Sequence, residues 1–374
     1  MTELDISLVG AEAEEVLGPG TGVVFASSLT HNPRNGVTGG VWSIRSGDRT
    51  AVLKVLTRAK DVTGHWAASD DPRHWNYWRR EADVYTSGLA RVWQPYGIRA
   101  PRLLACVERA DGDVALWLER VPGRPAQRWS IDAHVRHAHR MGRAQGAVGA
   151  RDEPWLSRRF LREYIEGKTE GQELVDDDEA WRRPLVRDHF PAGLRREMVR
   201  LHHDREWFLQ VMESLPRAFS HLDQWPANVR ADGRDSVLLD WAFAGDGALG
   251  EDLGNYLPDS VFDLFVPADR LPRYAGAAYH AYLEGLRGSG WRGDERAVRL
   301  GVCASAVKYD WLTALMLARA GEERQLDYGG RREVSAQRRY RERGLALAFL
   351  AGWAREAREL APRLGFPEAP STSL

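Results

Sequence analysis

The chain has 374 residues, 43% hydrophobic and 28% charged, with a formal net charge of −1. That length suits about two domains at roughly 150 residues each, and the near-neutral balance lacks the overall footprint of a nucleic-acid binder. No run approaches the ~20 apolar residues of a membrane span, and the acidic start "MTELDISLVGAEAEEVLG" has no basic n-region of a signal peptide. Cys106 and Cys303 sit in apolar contexts and read as buried free thiols, so a reducing, cytoplasmic setting is expected. The basic residues are 48 arginines and four lysines: Lys54, Lys60, Lys168 and Lys308. Where lysine persists against such a bias, its chemistry is a reason to look.

In chain order, residues 22–29 ("GVVFASSL") read as a strand, followed by the turn-rich "THNPRNGVTGG". "VWSIRS" and "RTAVLKVL" flank the turn "GD" as a hairpin. Asp71-Pro72 has the form of a helix N-cap with Pro at the first helical position. Trp75, Trp78, Ala82, Tyr85, Leu89 and Val92 then recur three and four apart, predicting one apolar helix face. Two more strands, "RLLACVER" and "VALWLER", enclose "ADGD". Beyond "VPGRP" the spacing becomes helical over 131–147, 192–215, 268–287, 294–320 and 335–362, interrupted by loop, strand, turn and strand in "SHLDQWPANVRADGRDSVLLDW". The tail "PEAPSTSL" is expected to be disordered. The expectation is an α+β chain with a small β-rich lobe over 1–120, a hinge near 119–124, and a larger helical lobe over 121–374.

"HLDQWPANV" and "LLDW" suggest the chemistry. Phosphoryl transfer from ATP needs a carboxylate beside the attacking hydroxyl and oxygen ligands for Mg²⁺. Asp223 suits the first role, Asn228 and Asp240 the second. Asp240 ends the apolar run "SVLL", where a solvated acid is not expected. Upstream, Lys54 lies within the apolar strand "AVLKVL", a costly place for an ammonium without a partner. Glu81, at the edge of the predicted helix face, is the candidate partner. Two snorkelling side chains are the plainer alternative. "NGVTGGVW" places Gly36, Gly39 and Gly40 in a turn whose backbone N–H groups suit phosphate.

The order Gly-rich loop, strand Lys, helix Glu, hinge, H-x-D-x-x-x-x-N and L-D-W resembles the aminoglycoside phosphotransferase and choline kinase group, small-molecule kinases of protein-kinase-like fold. The family's loop commonly reads like "HGDLHPGN"; "HLDQWPAN" keeps His221, Asp223, Pro226 and Asn228 in register. The resemblance covers about residues 20–260. It implies a two-lobed fold, ATP and Mg²⁺ as cofactors, and adenine bound by the Glu119 C=O and Val121 N–H of the hinge. It implies His221 as a structural residue of the loop and Asp252, in "GEDLG", as its buttress. Leu222 replaces a usually small residue, and Trp225 replaces a His. The Trp-rich segment between Lys54 and its helix exceeds the family minimum.

Other clusters have weaker claims. His134, His137 and His139 do not share one helix face and are more often structural than metal ligands. "VDDDEAW" offers an acidic wall for a cationic acceptor, but such a run more often starts a solvated helix. Some of the fifteen tryptophans are candidates for an acceptor pocket. The expectation is a kinase acting on a hydroxyl of a small molecule, favouring an antibiotic or other natural product. The alternatives are a metabolic kinase for choline, homoserine or a sugar, and a catalytically silent nucleotide-binding protein. A small-molecule acceptor is expected as partner, with neither nucleic acid nor membrane.

Overall fold

A computed structural model describes residues 6–18, 24–322 and 334–370. Residues 22–23 of the first predicted strand, and 371–374 of the tail, lie outside them. Two compact units emerge. One spans Met1–Arg124, Asp152–Arg158 and Arg230–Ala244; the other spans Pro125–Arg151, Arg159–Val229 and Gly245–Leu374.

The first unit opens with helix α1 (Ile6–Leu17). A five-stranded antiparallel sheet follows from β1 (Val24–Ser28), β2 (Thr38–Ser46), β3 (Arg49–Leu56), β5 (Leu103–Glu108) and β6 (Val114–Glu119), ordered β1-β2-β3-β6-β5. Between β3 and β5 lie helix α2 (Arg80–Thr86) and the short β4 (Ile98–Arg99). Val9, Ala13 and Leu17 of α1 pack on Ile44, Leu53, Val55 and Trp117 of the sheet. Glu12 follows them into the interior, accepting from Trp117 Nε1 (2.9 Å) and Arg109 Nε (2.8 Å). The acidic N-terminal stretch therefore supplies an amphipathic core helix.

The helix predicted from Pro72 begins instead at Arg80. Asp71 caps only a turn, accepting from Arg73 N at 2.9 Å. The carbonyls that a helix would spend on amides four residues later go to one guanidinium. Arg80 is fully buried and donates to the carbonyls of Pro72, His74, Trp75, Trp155 and Ala242 at 2.6–3.2 Å. The tryptophan spacing reflects burial without helix: Trp75 is buried, stacked on His65 with ring centroids 4.7 Å apart.

The second unit begins with α3 (Ile131–Val148), capped by Ser130, whose hydroxyl accepts from Ala133 N. Five helices follow: α4 (Phe160–Glu166), α5 (Asp178–Arg182), α6 (Pro184–His189), α7 (Leu194–His203) and α8 (Arg205–Ser214). The predicted helix over 192–215 divides at Asp204, whose buried carboxylate receives Arg358 Nε at 2.7 Å. Next come β7 (Arg217–Ser220) and the loop that carries His221, Asp223 and Asn228. The chain then enters the first unit through β8 (Val229–Asp232) and β9 (Asp235–Leu238), where β4 runs parallel to β9. Returning, β10 (Gly245–Ala248) pairs with β7, and α9 (Glu251–Phe262) and α10 (Leu271–Gly288) follow.

Helices α3 and α10 touch backbone to backbone. A Cβ on Gly142 would sit 2.0 Å from Tyr282 O, and one on Gly285 would sit 2.1 Å from His139 O, so both crossings require glycine. The predicted helix over 294–320 is α11 (Glu295–Ala304), a 3₁₀ segment (Ser305–Tyr309) and α12 (Asp310–Ala318). Ser305 Oγ bonds back to Val302 O at 2.7 Å at the break. Glu295–Ala318 has the length and apolarity of a membrane span, contrary to the sequence expectation, but 89% of its apolar 18-residue window is buried inside the fold. Helix α13 (Ala336–Arg363) ends the unit, and Pro367 of the tail is tied down by Trp207 Nε1 at 2.9 Å.

Candidate active site

Within the first unit, Lys54, Glu81 and Asp240 meet. Lys54 alternates into the interior of central strand β3, between β2 and β6, and is 6% exposed. Its ammonium contacts the buried Glu81 carboxylate from α2 and lies 2.7 Å from Asp240 Oδ1. Burial alone would lower the ammonium's pKa, but the Asp240 and Glu81 charges outweigh it and hold the pKa above its ordinary value. Glu81 also accepts the Trp241 backbone N–H at 3.1 Å, tying α2 to the "DW" segment.

Asp240 departs from its expectation as a buried acid. It lies beyond the end of β9, its side chain 44% exposed, with φ of +59°. Asp is one of the few side chains that tolerate the left-handed region. Trp241, fully buried beside Trp93, anchors the segment and leaves the Asp240 side chain at the surface of its unit.

The glycines are placed differently from a simple turn. Gly36 lies in the loop, donating its N–H to Trp66 O at 2.8 Å, so the Trp-rich insertion packs directly on it. Gly39 and Gly40 belong to β2, at a bulge against β3. Glu119 closes β6; its carboxylate engages Arg99 (3.0 and 3.1 Å) and Arg102 N (3.0 Å). Val121 is buried just beyond.

Within the second unit, Asp223 sits on a loop held from beneath by Asp252. Asp252 is fully buried at the start of α9, and its carboxylate accepts the N–H of Leu222 (2.8 Å), the N–H of His221 (3.0 Å) and the side-chain amide of Gln145 (3.0 Å). Burial pushes its pKa from 3.8 up to about 7, although the His221 and Leu222 amides pull it down. His221 is fully buried, and its Nδ1 accepts the Asp223 N–H at 3.3 Å. Asn228 Nδ2 donates to Asp223 Oδ2 (2.9 Å) and to Asp223 O (3.1 Å). Asp223 itself is half-buried. Leu222 has φ of +65° with its side chain fully buried, which explains why a small residue suits the position. A left-handed leucine costs roughly 1–2 kcal/mol.

Asn228 and Asp240 therefore lie in different units, as do Asp223 and Lys54. Among the described residues no group of three His, Cys, Asp or Glu forms a metal cage. His134 and His137 are buried and neutral, bonded to the Tyr256 hydroxyl (2.6 Å) and Gln224 Oε1 (3.1 Å), with burial lowering their pKa values to about 4 and about 3. The acidic run is engaged by its neighbours: Asp176 by His203, Asp178 by Arg195, while Asp177 caps α5. Cys303 is buried as expected, whereas Cys106 is half-exposed because it lies on the edge strand β5; both are free thiols.

Two residues singled out in the sequence, Lys60 and Trp225, make contacts that the sequence does not show. Lys60 donates to three backbone carbonyls of the Gly-rich loop. Trp225, two residues after Asp223, faces Phe265 with ring centroids 6.5 Å apart. The scarcity of lysine pointed to the first, and the departure from His at 225 pointed to the second.

Comparison with known proteins gives the family. The choline/ethanolamine kinase family protein from Mesorhizobium loti is 17% identical with a TM-score of 0.51, covering 95% of this chain and 99% of that one. The choline kinase of Cryptosporidium parvum Iowa II is 11% identical with a TM-score of 0.50, covering 96% and 97%. At these identities the likeness establishes the fold, a protein-kinase-like one. An amicoumacin kinase solved with AMP-PNP, Ca²⁺ and Ami aligns at 14% identity and a TM-score of 0.46, over 98% of this chain and 96% of that one. No curated protein sequence matches. The profile described as "Phosphotransferase enzyme family" matches residues 41–295. That match takes in more than half of the chain, including Lys54, Glu81, Asp223, Asn228 and Asp240: the protein belongs to this phosphotransferase family and is a small-molecule phosphotransferase.

Proposed function

We propose that the protein transfers the γ-phosphoryl group of ATP to a hydroxyl of a small organic molecule, with an antibiotic or other natural product favoured as acceptor. The observation that carries this reading is the ammonium of Lys54, buried in a strand and fixed by Glu81 while Asp240 keeps an exposed carboxylate. A lysine so fixed neutralises the α- and β-phosphate oxygens. Gly36, Gly39 and Gly40 supply the backbone near the phosphates, and Glu119 and Val121 supply the adenine contacts.

Asp223 orients the acceptor hydroxyl and accepts its proton as the phosphoryl group arrives in line. Asn228 steadies one carboxylate oxygen through its Nδ2, and Asp252 fixes the backbone of the loop. Asp240 and Asn228 would each offer Mg²⁺ a hard oxygen, the Asn228 amide nitrogen being turned to Asp223. Mg²⁺ on a nucleotide takes one or two protein oxygens beside phosphate and water, so no larger acidic cage is called for. When bound, it offsets charge on the phosphate oxygens.

For the acceptor, Trp225 and Phe265 favour a ring-bearing face beside the reacting hydroxyl. The acidic run over 176–178 gives little separate support to a polycationic acceptor, because Asp176 and Asp178 already pair with His203 and Arg195 and Asp177 caps α5. Phosphate transfer from Mg-ATP to a panel of hydroxylated antibiotics and metabolites, followed by mass spectrometry, tests the proposal. A phosphorylated product is expected; absence of Mg-ATP binding would overturn it.

A further inference from the structure

Lys60 lies just past β3, and its Nζ gathers three main-chain carbonyls from the preceding loop. They are Pro33 O (2.6 Å), Asn35 O (3.0 Å) and Thr38 O (3.3 Å). An ammonium has three N–H donors and no acceptor, so this arrangement uses its full capacity. The chain keeps only four lysines among 48 arginines. A planar guanidinium presents its donors in a flat fork and cannot gather three carbonyls around one nitrogen.

The consequence lies on the other side of those peptides. In a trans peptide, the N–H of the next residue points away from the C=O. Three carbonyls turned toward Lys60 turn the amides of Arg34, Gly36 and Gly39 outward. Arg34 N is met by Asn32 Oδ1 at 3.0 Å, and Gly36 N by Trp66 O at 2.8 Å. Gly39 is different. The β2–β3 register steps from Thr38↔Leu56 to Gly40↔Val55, and the β1–β2 register ends at Ser28↔Trp42, so neither pairing includes Gly39. A bulge of this kind leaves its extra residue outside the ladder.

We infer that Lys60 is a positioning residue for nucleotide phosphate: it fixes the Thr38–Gly39 peptide so that the Gly39 N–H is presented as a phosphate donor. Lys54 meets phosphate with charge, and Lys60 acts one step removed, through the backbone. This rests on the reading of the site as an ATP site. Burial lowers the Lys60 pKa, in keeping with an ammonium enclosed by carbonyls without a carboxylate among its hydrogen-bond partners.

The test is calorimetric titration of wild type and Lys60→Met with Mg-ATP, Mg-ADP and adenosine, alongside melting curves and steady-state kinetics. Lys60→Met is expected to weaken Mg-ATP and Mg-ADP about tenfold, the size of one lost hydrogen bond to a charged group. Adenosine affinity should stay within twofold, and KM for ATP should rise with little change in kcat. Should Lys60→Met not fold, Lys60→Gln, which keeps a donor for one carbonyl, is read in the same way. Unchanged phosphate-nucleotide affinity in a folded variant would overturn the inference and leave Lys60 as a structural clip. An equal loss for adenosine would also overturn it, since the effect would not belong to the phosphates. If wild type binds none of the three, the ATP-site reading itself fails, a result distinct from either.

Discussion

Each unit fixes its own proposed site residues by different physics. In the first unit the work is done by charge: Lys54, Glu81 and Asp240 form a cluster in which two members are almost fully buried. In the second, Asp223 is placed by hydrogen bonds to backbone and amides, with Asp252 receiving N–H groups from beneath. A charged cluster fails abruptly when one member is removed, because a buried charge is stranded. A hydrogen-bonded loop degrades in smaller steps as individual donors lose their acceptor.

The largest effect is expected at the reacting group. Asp223→Ala should lower kcat by about 10²–10⁴, the usual worth of a general base, while Mg-ATP affinity measured by calorimetry changes little. Lys54→Met comes next. It strands Glu81, and chemical denaturation should show a loss of about 3–5 kcal/mol, typical of breaking a buried ion pair, together with weaker Mg-ATP binding. The comparison breaks if Lys54→Met is no more damaging to stability than Asp223→Ala.

Asp252 sharpens the contrast through pH. Its carboxyl titrates near 7 in the fold against an ordinary value of 3.8. Between these values the folded state binds more protons than the unfolded one, so this group makes stability fall as pH rises from about 4 to 7. The loop's N–H acceptors follow the opposite course, since protonation below about 7 removes negative charge facing His221 N and Leu222 N. Acidification through this range should therefore lower kcat while this residue's contribution to stability rises. Asp252→Asn should flatten both trends in pH-resolved kinetics and denaturation.

A smaller effect separates two substitutions at Leu222. Both Leu222→Ala and Leu222→Gly lose buried area, but only glycine relieves the φ of +65°. Glycine should therefore be no less stable than alanine, and up to about 1 kcal/mol more stable, reversing the usual order; differential scanning calorimetry decides it. The least effect is expected at Arg195→Ala, whose partner Asp178 is exposed: within about 0.5 kcal/mol in thermal melts.

The proposed site was readable where side chains announce their surroundings. Lys54 in an apolar strand required an anion, and Glu81 supplies it. The spacing of His221, Asp223 and Asn228 was likewise visible as a loop. What escaped were features carried by the backbone. Lys60 bonds to carbonyls, which every residue has, so no partner could be read from the letters. Helix α2 was drawn too long because the burial of Trp75 mimics helical spacing while Arg80 takes the carbonyls a helix would use. Helix α1 is not among the predicted elements, although Val9, Ala13, Val16 and Leu17 carry its apolar stripe. The strain at Leu222 and the exposure of Asp240 are backbone outcomes of the same kind.

The central claim is phosphoryl transfer to a small-molecule hydroxyl with Asp223 as the base. Its most direct test is Mg-ATP turnover against a panel of hydroxylated antibiotics and metabolites, run in parallel with wild type and Asp223→Ala and read by mass spectrometry. A phosphorylated product with wild type, nearly lost in the variant while Mg-ATP binding persists, is the predicted result. Undiminished product in Asp223→Ala, or no Mg-ATP binding by wild type, would contradict it.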